Sequence, residues 1–104
     1  MITVEKIDER TFKVTVEDRT KTTHTVTLDP SYHEKLTGSG VPAEDLVKKS
    51  FDFLLERESN TSILRSFDLP VIGRYFPEYE STIKKRLWSS EESETKKTPN
   101  RDNL

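Results

Sequence analysis

The sequence predicts an α+β domain: an N-terminal three-stranded antiparallel β-meander covered on one face by C-terminal helices, followed by a polar tail. Three observations carry this. Apolar side chains alternate with hydroxyl and charged ones over residues 2–29, an apolar repeat of helical spacing runs over 43–57, and every hydrophobic residue except Leu104 lies before Ser89.

The strands come first. Phe12, Val14 and Val16 fall on one face, against Thr11, Lys13, Thr15 and Glu17 on the other. This is the period of two that a half-buried strand requires. His24, Val26 and Leu28 repeat the pattern opposite Thr23, Thr25 and Thr27, while Ile2, Val4 and Ile7 suggest a first strand. The segments "DER" and "EDRTKT" are polar enough to turn the chain, although neither holds the Asn-Gly or Asp-Gly pair of a tight hairpin.

Helices follow. Pro30 suits the first turn of a short helix over "PSYHEKL", with Asp29 as its cap, and "TGSG" stops it. Glu44 and Asp45 mark the positive end of the next helix, about residues 43–57, and Leu46, Val47, Ser50, Phe51, Leu54 and Leu55 recur on one face, with Phe53 toward its flank. Beyond "RESNTS", the reading is one helical turn holding Ile63, Leu64 and Phe67, then a helix capped by Asp68, with a break at 73–77 because of Pro77. Pro77 then opens a last helix over "PEYESTIKKRLW". Residues 1–88 form one domain in this reading, and 89–104, "SSEESETKKTPNRDNL", form a disordered tail too polar to build a core.

Composition narrows the function classes. A net charge of −2 at 35% charged residues gives no excess that would draw a polyanion or an acidic membrane. The chain has no cysteine, which removes disulfides, thiol catalysis and thiolate metal sites. No segment approaches the roughly 18 consecutive apolar residues of a membrane span, and the N-terminus lacks the charged start and apolar run of an export signal, so a cytoplasmic location is expected.

No residue pattern points to catalysis. His24 and His33 stand nine positions apart without a metal-ligand spacing. His24 is expected to pack on the sheet's apolar face or its edge, and His33 to meet water. The hydroxyl residues lack a nucleophile elbow and a recognisable base, and "GSG" lacks the lysine and preceding strand of a phosphate loop. The expectation is therefore a protein that is not an enzyme and carries no cofactor or metal.

What stands out is "ILRSFDLPVIGRYFPEY", residues 63–79, which gathers apolar and aromatic side chains in an otherwise polar chain. Six apolar residues of the 43–57 helix already cover a small sheet, so part of this stretch is left over. Surplus apolar surface on a small domain marks self-association or a partner site. Arg65, Arg74, Tyr75 and Tyr79 are the candidate contact residues, since Arg and Tyr supply contact area at low ordering cost. Arg65, Asp68 and Arg74 also have the makings of an ion-pair network. An alternative is a nucleic-acid contact through Lys84, Lys85 and Arg86 with Arg74, although cations at a helix C-terminus are already favoured by its dipole.

From "VTLDPSYHEKLTG" through "LVKKSFDFLLERESNTSILRSFDLPVIGRYFPEYE", the chain resembles a family of small uncharacterised prokaryotic proteins of about this length. The resemblance covers most of the body and none of the tail. It implies a prokaryotic cytoplasmic origin and brings no activity, cofactor or site residue. The functional expectation is a small protein-interaction module or homodimer using residues 65–79.

Overall fold

The computed structural model describes residues 1–38 and 40–95, with side chains described through Leu87. Strands β1 (Ile2–Lys6), β2 (Thr11–Glu17) and β3 (Lys21–Thr27) form the expected antiparallel meander. Its register aligns Val4 with Val14, Val14 with His24 and Phe12 with Val26. One face is therefore apolar and buried: Phe12, Val14, Val16, His24 and Val26 are all within it. The other face presents Lys13, Thr23 and Thr25 to solvent.

The sheet has a fourth strand that the periodicity does not predict. β4 (Ser66–Asp68) lies parallel to β3, aligning Val26 with Phe67, so the order is β1-β2-β3-β4. The Thr25 N–H donates to the Arg65 carbonyl at 2.7 Å, and the Leu69 N–H donates to the Thr27 carbonyl at 2.9 Å. These bonds occupy the backbone groups of β3 that would otherwise form an open sheet edge. The expected helical turn around Ile63, Leu64 and Phe67 is thus replaced by a 3₁₀ turn, Asn60–Ser62, followed by extended chain. Asp68 does not cap a helix either; it accepts the hydroxyl hydrogen of Thr27.

Helix α1 (Pro30–Thr37) starts as read, with the Asp29 carboxylate accepting the Ser31 N–H at 3.0 Å and the Ser31 hydroxyl at 2.9 Å. The chain leaves α1 through Gly38 at φ +69°, a left-handed angle that suits glycine. The Ser31 backbone N–H, then its hydroxyl, hold the Asp29 carboxyl below the usual range. The pKa is depressed in the folded state, so the cap stabilises fully above the unfolded carboxyl value of about 4 and is lost as pH falls through the native value. The difference in melting temperature between the wild type and Asp29→Ala is expected to shrink from pH 6 to pH 2. A difference that stays constant with pH would show that the carboxylate charge adds nothing to the cap.

Helix α2 (Ala43–Leu55) crosses the apolar sheet face with Leu46, Val47, Ser50, Phe51, Phe53 and Leu54 buried. Phe53, toward the flank of that face, is buried against later parts of the chain: Phe76 and Tyr79 meet its ring edge-on, and the Arg57 guanidinium lies 3.6 Å from its centroid. Helix α3 (Val71–Tyr75) is a single short turn that stops where expected. Phe76, preceding Pro77, is extended at φ −130° and ψ 92°.

Helix α4 (Tyr79–Thr95) buries Tyr79, Ile83 and Leu87, spaced one turn apart, against the other helices. Its Glu80 accepts the Tyr32 hydroxyl hydrogen at 2.8 Å, tying it to α1. The tail expected from residue 89 falls on the backbone of α4 as far as Thr95, and its remainder, 96–104, lies outside the described residues.

Candidate functional site, an apolar groove beside β4

The segment that builds the site is pinned to β3 by side chains about 40 positions away. Asn60 is buried in the 3₁₀ turn, and its Nδ2 donates to the Thr20 carbonyl and to Thr22 Oγ1, both at 3.0 Å. His24 Nδ1 donates to the Leu64 carbonyl at 2.8 Å, and Nε2 is hydrogen-bonded to Thr22 Oγ1 at 2.9 Å. The imidazole also packs against Phe51, with centroids 5.4 Å apart. His24 is thus on the apolar face as expected, and its polar atoms set the path of residues 60–66. His33 is half-buried rather than merely solvated, its Nε2 2.5 Å from the Val41 carbonyl. Asn60→Ala removes both amide bonds and is expected to lower stability by about 1–3 kcal/mol. Urea unfolding measures this, and a loss below 0.5 kcal/mol would show that the turn is held by its neighbours instead.

Between the end of α2, the 3₁₀ turn, β4 and α3 lies an open groove of about 400 Å³. Leu54, Ile63 and Ile72 form its buried floor, with Phe67, Val71 and Phe76 half-buried along it. Leu64 and Tyr75 stand at its lip, 47% and 65% exposed. Glu58 is the one charged side chain in the lining and makes no ion pair among the described residues. Of the large apolar side chains in residues 63–79, Leu64 and Tyr75 are thus the exposed ones, and they border a concave recess.

The four candidate contact residues part company. Tyr75 lines the groove, and Arg74 precedes it on α3, exposed and one turn on from Val71. Arg65 turns away and lines a separate polar cleft with Lys21, Thr22, Thr23, His24, Asn60 and Thr61. Tyr79 is no contact residue: its side chain is fully buried, and its hydroxyl lies 2.6 Å from Ser50 Oγ. Burial pushes its phenol above the ordinary range, as it does that of Tyr32, where the bond to Glu80 adds to the effect. The ion-pair network of Arg65, Asp68 and Arg74 does not form; among the described residues none of the three has an ion-pair partner.

The basic end of α4 divides too. Arg86 makes two bonds to the Glu56 carboxylate, at 2.7 and 2.8 Å, which pull the carboxyl down and the guanidinium up. Arg57 Nε donates to the Glu78 carboxylate at 3.1 Å, so the two arginines fasten α2 to α4 and its approach. Lys84 and Lys85 remain exposed. No group of three or more metal-binding side chains lies among the described residues.

The sequence reading misses two groove residues: Leu64, which it places in a helical turn with Ile63 and Phe67, and Glu58, which reads as a loop residue after α2. A carboxylate in a polar loop acquires meaning only when the fold lays an apolar groove beside it. Compared with protein families, with curated proteins and with solved structures, the chain finds no match in any of the three.

Proposed function

We propose that this chain is a small, non-enzymatic cytoplasmic interaction module that receives apolar side chains of a protein partner in the groove between α2, β4 and α3. The observation that carries the reading is the exposure of Leu64 and Tyr75 at the lip of an apolar recess. Contiguous exposed apolar surface costs solubility and is kept where it is used. Its lining favours a protein anchor over a small polar metabolite, because sites for the latter converge several polar groups to fix orientation. Here the polar side-chain groups of the lining are Glu58, Ser62 and, at the exposed lip, the Tyr75 hydroxyl.

Leu64→Asp and Tyr75→Ala test this in affinity capture from the native organism. Each is expected to weaken partner retention by about tenfold or more, the effect of losing one central anchor. Lys13→Glu on the exposed sheet face is the control and is expected to retain it. If both groove variants fold and keep every partner, the groove is not the contact surface.

The competing nucleic-acid reading has less support. Arg86, one of its three adjacent cations, is engaged by Glu56, and Glu80 shares the helix with Lys84 and Lys85.

A further inference from the structure

The groove has the ingredients of a self-complementary surface. Tyr75 projects from its lip, and the recess lies directly beside it. Glu58, just past α2, lines the recess, and Arg74, outside the lining, is exposed on α3 next to Tyr75; neither has an ion pair among the described residues. An isologous two-fold contact uses the same patch on both copies, and a patch that carries projection and recess, anion and cation, is complementary to itself. A foreign partner would need only one of each pair.

We propose that the occupant of the groove is a second copy of this chain, docked about a two-fold axis. Tyr75 of each protomer enters the groove of the other, and Glu58 of each faces Arg74 of the other. This rests on the groove being a contact surface. Each Tyr75 ring fills apolar volume that is open in the monomer, and the charge pairs fix register rather than supply most of the affinity. The patch is smaller than a standard interface of about 20–30 residues a side, so the dimer is weak and depends on concentration.

Sedimentation equilibrium of the full chain from micromolar to millimolar protein is the test. The apparent mass is expected to rise from 12.1 kDa toward twice that value. Tyr75→Ala, Glu58→Arg and Arg74→Glu are each expected to weaken association by about tenfold. An equimolar mixture of Glu58→Arg with Arg74→Glu is expected to associate as the wild type does, because each contact of the mixed dimer again joins opposite charges. Recovery on mixing also shows that both variants are folded.

A monomer at every concentration overturns the second copy; loss of a captured partner by Leu64→Asp would then leave the groove reading standing. A dimer indifferent to all three variants, or a mixture that fails to recover, overturns the arrangement.

Discussion

Tyr79→Ala is expected to cost about 3–5 kcal/mol of stability. The ring is fully buried where α4 meets α2, 5.3 Å from the Phe53 centroid and edge-on to it. Its hydroxyl bond has a fixed direction. Ser50 gives its own hydrogen to the Leu46 carbonyl at 2.8 Å, so the phenol donates to Ser50 Oγ. Tyr79→Phe therefore keeps the packing and loses one buried bond, at about 1 kcal/mol. A domain of this size has roughly 5–15 kcal/mol in total, so the alanine variant approaches global unfolding while the phenylalanine variant does not. Chemical denaturation of both separates packing from hydrogen bonding. Equal losses below 0.5 kcal/mol would place Tyr79 at the surface.

His24→Ala is expected to cost about 2–4 kcal/mol, combining a small cavity beside Phe51 with a Leu64 carbonyl left without its donor. The consequence reaches the groove, because that carbonyl belongs to a lip residue and precedes β4. Amide hydrogen exchange is expected to quicken at Thr25 and Leu69, whose N–H groups pair β3 with the β4 segment, more than at Val14 in the meander. Uniform quickening would mean that His24 supports the whole domain and not this junction. His24→Asn offers a shorter amide to the same carbonyl and is expected to recover part of the loss.

The meander was legible because alternation over two strands records, residue by residue, which face is apolar. Phe12, Val14 and Val16 are buried for the reason that their spacing gives. Helix α2 and the break before Pro77 were legible on equally local grounds. β4 was not, because a three-residue strand has too few positions to show a period and its pairing partner lies about 40 residues earlier. Tyr79 shows the same limit. Its spacing from Ile83 and Leu87 marks an apolar stripe on α4, but a tyrosine in such a stripe serves core or contact alike until the facing residues Phe53 and Ser50 are known.

By itself, then, the sequence determined the class of the domain, the apolar face of the meander, the course of α2 and the existence of more apolar surface than a small sheet can cover. Only the tertiary structure decided where that surplus lies. The His24 and Asn60 bonds draw residues 60–66 alongside β3, which sets Arg65 apart from Arg74; packing of α4 on α2 sinks Tyr79, and Leu64, Tyr75 and Glu58 are left around one recess. Periodicity is a property of neighbours along the chain. Which surplus side chains meet is set by hydrogen bonds and packing between segments far apart in it, and no local pattern encodes those partners.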